Sequence, residues 1–77
     1  MSTKITIPQF AICINNHGYE DDLIVRMVYQ VLPDEAATQS NYLRIVDETG
    51  EDYLYPAAFF IPIIVPNEAE QLLLNAA

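Results

Sequence analysis

The sequence predicts a small antiparallel β-barrel of five strands with one short helix after it. Three observations carry that expectation. Short apolar runs within residues 29–60 are separated by a polar loop, a Gly-containing hairpin turn and a Pro-initiated corner. Those runs are rich in β-branched and aromatic residues, and their clearest stretch alternates with the period of two that a half-buried strand requires. Helical spacing appears only near the C-terminus, where Ala69, Leu72, Leu73 and Ala76 share a face.

In chain order, Ile5, Thr6 and Ile7 alternate, Pro8-Gln9 interrupts, and Phe10, Ile12 and Ile14 alternate in the opposite phase. A change of parity across a Pro is what a bulge or bend in an edge strand produces. Asn15-Asn16-His17-Gly18 supplies turn chemistry, and residues 19–22 form an acidic loop. The apolar pattern restarts at Leu23 and runs to Leu32, with Met27, Tyr29 and Val31 on one face. Pro33-Asp34 stops it. Residues 35–41 read as a polar, mobile loop, with Ala36-Ala37 the one place for a short helical turn.

Tyr42–Val46 is the next strand. In Asp47-Glu48-Thr49-Gly50-Glu51 a type I turn can place Gly50 in the left-handed region and close a hairpin with a one-residue bulge. Residues 52–55 pair back, and Pro56-Ala57-Ala58-Phe59 fits one 3₁₀ turn. Residues 60–65 form the last strand. Pro62 lacks a ladder donor, so that strand belongs on an edge or at a bulge. Asn67 then caps a helix, with Glu70 completing a capping box. The expected organisation is a barrel over 1–66 and a helix over 67–77, packed on the barrel or on a partner chain.

Composition limits the chemistry. Seventy-seven residues, 52% of them hydrophobic, fill one small core and leave little room for a deep cleft. Eleven acidic residues face only Lys4, Arg26 and Arg44, for a net charge of −8. Nucleic acid and anionic membranes are recognised by clustered Lys and Arg, so neither is an expected partner. The acidity fits a protein kept apart by repulsion or one that meets a basic partner. Cys13 is the only cysteine, which excludes an internal disulfide and suits the cytoplasm. Residues 5–14 are too short and too interrupted for a signal peptide or membrane span.

No catalytic set emerges. Cys13 and His17 are the only thiol–imidazole candidates, but an extended backbone would hold them more than ~10 Å apart. Two such ligands fall short of the four a structural zinc wants. The acidic groups Glu20/Asp21/Asp22 and Asp47/Glu48/Glu51/Asp52 match no calcium-loop spacing. The expectation is no enzyme, no metal and no cofactor.

The order of these elements resembles the SH3-type barrel, and two strings carry the likeness. Glu20-Asp21-Asp22-Leu23 is similar to the acidic loop and Asp-Leu diverging turn of Src-homology-3 domains. Leu54-Tyr55-Pro56-Ala57-Ala58-Phe59-Phe60 is similar to their aliphatic–Pro step, which leads to an aromatic and a core residue. The family's Trp is absent, with Tyr42 nearest to its place; its Ala-Leu-Tyr-Asp-Tyr motif is absent too, with only Tyr19 nearby. The link from Leu23 to Tyr29 is short. The resemblance therefore implies the barrel rather than the Pro-rich peptide groove. A second resemblance is to a set of short, uncharacterised bacterial and phage proteins. It rests on Cys-Ile-x-Asn-x-Gly-Tyr-Glu at residues 13–20, Tyr-x-Val-Leu at 29–32 and Ile-Val-Asp-Glu-x-Gly-Glu-Asp-Tyr-Leu-Tyr-Pro at 45–56. It implies a shared fold and transfers no activity.

On an SH3-like barrel, Tyr19, Tyr42, Leu54, Pro56 and Phe59 would line a shallow aromatic patch beside Glu20, Asp21 and Asp22. Such a surface suits an extended or Pro-rich segment bearing Arg or Lys. In so small a core these aromatics are also needed as filling. The expected function is a non-enzymatic, cytoplasmic module that binds a protein or peptide. The alternative is an accessory subunit that pairs two copies or docks through its C-terminal helix, whose Leu72/Leu73/Ala76 stripe suits a contact.

Overall fold

Turns set by local backbone chemistry connect five short strands into one antiparallel sheet. A computed structural model describes residues 10–75. The Pro8-Gln9 bend, Lys4 and Ala76 lie outside these residues. The elements are β1 (Phe10–Cys13), β2 (Val28–Leu32), α1 (Glu35–Gln39), β3 (Tyr42–Val46), β4 (Asp52–Pro56), a 3₁₀ turn (Ala57–Phe59), β5 (Phe60–Ile63) and α2 (Asn67–Asn75). The strand order is β4-β3-β2-β1-β5, which makes β4 and β5 the two edges. No strand pairing joins those edges among the described residues.

One core cluster draws on every strand: Ala11, Cys13, Leu23, Tyr29, Val31, Ile45, Tyr55 and Phe60, with Leu43 and Phe59 packed against it. The sheet must curl for its two ends to share this cluster. In β1 the core-facing residues are the small pair Ala11 and Cys13, while Ile14 is exposed. Tyr29 and Val31 are buried as their parity predicts, but Met27 is exposed. The reason is a bulge. Cys13 N–H donates to the Met27 carbonyl at 2.9 Å and Arg26 N–H donates to the Cys13 carbonyl at 2.7 Å, so two residues oppose one. Arg26 takes φ +80° there, in a region that favours glycine.

The hairpin forms as its residues predict. Gly50 adopts φ +85°, its N–H reaches the Asp47 carbonyl, and Asp47 N–H reaches the Glu51 carbonyl. Leu23 is fully buried, whereas Ile24 and Val25 occupy an exposed turn and start no strand.

Residues 35–41 are not the loop their polarity suggests. Asp34 caps α1 by accepting from Ala37 N–H at 3.0 Å, and its other oxygen accepts from Arg44 Nε at 2.9 Å. Ala36 and Ala37 favour helix, Ala37 is buried, and Asn41 at φ +66° ends the turn. A cap and an ion pair thus order a segment with little apolar content. The last helix also departs from expectation. Asn67 is already helical, because Glu70 N–H donates to the Pro66 carbonyl at 2.9 Å, so Asn67 is not the cap. Leu72, Leu73 and Leu74 of α2 are exposed, Leu72 at 74%, and no residue of α2 belongs to the core.

Candidate functional site

Two acidic segments, distant in sequence, meet at one end of the molecule. The loop over residues 15–24 folds on itself: Tyr19 N–H donates to the Asn16 carbonyl, and Leu23 N–H donates to the Tyr19 carbonyl. Asn16 Nδ2 closes the loop by donating to the Leu23 carbonyl at 2.8 Å. The hairpin tip docks against it through Glu48 N–H, which donates to the Asp22 carbonyl at 3.0 Å.

Two tyrosine–carboxylate pairs fix this docking. The Tyr29 hydroxyl donates to Glu48 Oε2 at 2.6 Å and accepts from Ile24 N–H at 2.8 Å. The Tyr55 hydroxyl donates to Asp47 Oδ2 at 2.5 Å, while the Thr49 N–H and hydroxyl both donate to Asp47 Oδ1. Asp47 is only 5% exposed. Burial works against its charge, but the bonds from Thr49 and Tyr55 outweigh it and hold the carboxyl below its ordinary range. Burial and the neighbouring carboxylate push the phenols of Tyr29 and Tyr55 well above the usual value.

Between the loop and β4 lies a depression of about 260 Å³, lined by Tyr19, Asp22, Thr49, Tyr53, Leu54 and Tyr55. The Tyr19 ring stands edge-on to Tyr55, centroids 4.9 Å apart, and to Phe59 at 6.0 Å. Such pairs add specific attraction to apolar burial.

The eight residues picked from the sequence are distributed as follows. Tyr19, Asp22 and Leu54 line the depression, and Phe59 touches its rim through Tyr19. Glu20 and Asp21 are exposed on the same loop. The Glu20 carboxylate accepts from Gly18 N–H at 3.2 Å, and backbone donors lower its pKa. Tyr42 and Pro56 oppose each other across β3 and β4, on the face away from Leu43, Ile45, Tyr53 and Tyr55. Leu54 shares that face two residues before Pro56, and the 3₁₀ turn, which begins after Pro56 and ends on Phe59, links them to the Tyr19 side. Thr49, Tyr53 and Tyr55 were not among the eight; their place follows from how the hairpin pairs and docks, which no local motif reveals.

Other candidate chemistry is sparse. Cys13 is fully buried, its thiol faces the Asn15 carbonyl at 3.3 Å, and burial raises its pKa. Among the described residues no three His, Cys, Asp or Glu side chains gather so as to hold a metal ion. No helix there is long and apolar enough to cross a membrane. Compared with known proteins, the chain matches no family model, no curated protein and no solved structure.

Proposed function

We propose that this chain is a cytoplasmic, non-enzymatic interaction module that binds a basic segment of a protein or peptide on its acidic, aromatic end. The observation that carries the reading is the depression itself. Tyr19 and Tyr53 offer aromatic surface there, Asp22 supplies charge, Glu51 stands beside Tyr53 by accepting from its hydroxyl, and Glu20 and Asp21 share the loop of Asp22. A cation brought to this end meets carboxylates and aromatic faces together. Arg44, the cation nearest in register, is already bridged to Asp34 and Asp52 at 2.9 Å each.

The fold reading that accompanies this function is an SH3-type small barrel shared with the short bacterial and phage proteins. In its favour are the placement of β1 between β2 and β5, the 3₁₀ turn leading into β5, and the acidic loop against the hairpin tip. The test is a titration of isotopically labelled protein with short Arg- and Lys-bearing peptides, with and without Pro. The expected result is movement of the amide signals of residues 19–22 and 53–59. Signals that stay fixed with every peptide would end the idea.

A second reading draws on α2. Ile64 is 98% exposed, and Leu72, Leu73 and Leu74 follow it on an uncovered helix. Under that reading the chain is an accessory subunit whose helix docks on a partner or a second copy. Removing residues 67–77 separates the two: peptide binding survives and self-association vanishes only if the helix is the docking element.

A further inference from the structure

The free edge of β4 faces the acidic depression, and its hydrogen-bond parity shows which groups are unpaired. Asp47 N–H bonds the Glu51 carbonyl at one end of the hairpin, and Ala57 N–H bonds the Asn41 carbonyl at the other. Every second pair between these limits is therefore hydrogen-bonded, so Tyr53 pairs with Ile45 and Tyr55 with Leu43. Asp52, Leu54 and Pro56 sit at the intervening, wide pairs. Their backbone groups point away from β3, and Pro56 has no N–H. Among the described residues no group bonds the Leu54 N–H or carbonyl. Three consecutive residues, Tyr53, Leu54 and Tyr55, line one side of the depression, and Tyr19 and Asp22 line the other.

The opposite edge is built differently. Ile14 N–H donates to the Phe59 carbonyl at 2.8 Å, so by the same count Pro62, opposite Ala11, lies at a wide pair of β1 and β5. The N–H that Pro62 lacks is one that would have pointed outward. Proline there blunts the β5 edge against pairing, whereas β4 stays open at Asp52 and Leu54.

We propose that the partner binds by strand addition: an extended basic segment pairs with β4 through the outward N–H and carbonyl of Leu54. Side chains of that segment would alternate between the Tyr19/Tyr53 side and solvent, and its Lys or Arg groups would meet Asp22, Glu51 and the exposed Glu20 and Asp21. Main-chain pairing supplies the affinity, and the charge of −8 selects a basic sequence. This inference rests on the binding function proposed above and adds its mode. It differs from docking on Tyr42, Pro56 and Phe59, which needs no backbone pairing.

The probe is an end-blocked hexapeptide of alternating Lys and Val, compared with the same peptide N-methylated on alternate residues in each of the two phases. The readouts are amide shifts and hydrogen exchange of the labelled full chain. In the free protein, the Leu54 amide exchanges faster than those of Tyr53 and Tyr55. On binding, its exchange slows by about tenfold or more, and methylation in one phase weakens binding by about tenfold while the other phase is tolerated. Leu54→Pro, which removes the outward N–H together with the leucine side chain, abolishes peptide binding. If that variant fails to fold, the two methylated peptides decide the matter. Should basic peptides shift residues 56–59 and leave Leu54 exchange unchanged, strand addition is overturned and the binding function stands. Should no basic peptide bind at all, both fall.

Discussion

Asp47 is the residue on which this end of the molecule turns. It is a nearly buried carboxylate satisfied by Tyr55 and Thr49, and a charge so placed must keep its donors. Asp47→Asn retains the shape and loses the charge-assisted bond from Tyr55. We expect a loss of about 1–3 kcal/mol in urea unfolding at neutral pH. The sign of the pH effect follows from the lowered pKa. The unfolded chain binds the proton first, near pH 4, so the Asp47 contribution is full above that value. It disappears as pH falls through the lower folded value, and the acid limb of the stability profile should flatten in the variant. Tyr29 and Tyr55 act in the opposite sense. Their raised values leave stability unaffected up to about pH 10, the ordinary phenol value, and reduce it above.

Arg26 gives a prediction of gain. Its φ of +80° is uncomfortable for any residue with a Cβ, and its side chain is exposed. Arg26→Gly removes that strain at the bulge opposite Cys13, and a rise of about 0.5–1 kcal/mol in unfolding free energy is expected. A destabilised variant would show that the arginine side chain contributes something its exposure does not reveal.

Among the elements, β5 and α1 are the instructive ones. Pro62 was recognisable in the sequence as an edge residue, and β5 is an edge. Pro62→Val restores an outward N–H beside the exposed Ile61 and Ile64. The expected outcome is a monomer that folds but self-associates at concentrations where the parent does not, seen by sedimentation or light scattering. Helix α1 was less legible. Its cap at Asp34 is a local signal, but the clamp from Arg44 comes from a strand ten positions later. A reading based on polarity alone misses an element stabilised by two charge-assisted bonds. The Leu23–Val25 run erred in the other direction, since one apolar residue entered the core and two remained in a turn.

For the molecule as a whole, charge is the governing quantity. A net charge of −8 on 77 residues repels itself, and the loop and hairpin tip bring several carboxylates to the same end. Added sodium chloride screens that repulsion while sparing the largely enclosed Asp47–Tyr55 bond. The melting temperature should therefore rise from low to physiological salt. A fall would mean that the Asp34–Arg44–Asp52 bridges outweigh the repulsion.

Local grammar was enough to place the hairpin strands, the Gly50 turn, the 3₁₀ turn after Pro56 and the burial of Cys13, but it began β2 five residues early and ended β5 two residues late. Those features depend on the φ values that Gly and Pro prefer and on period-two apolar runs, all contained within a few residues. The sequence also supplied Tyr19, Asp22, Leu54 and Phe59 as neighbours, through the acidic loop and the Pro corner. Only the tertiary structure decided that Tyr53 and Tyr55 share one face and line a depression, that Asp47 and Glu48 receive tyrosine hydroxyls, and that Leu54 presents an unpaired edge. Each of these depends on strand register and on which strand lies at the margin of the sheet. Register arises from pairing between distant segments, so a one-residue shift would turn every such group around without altering a single local motif.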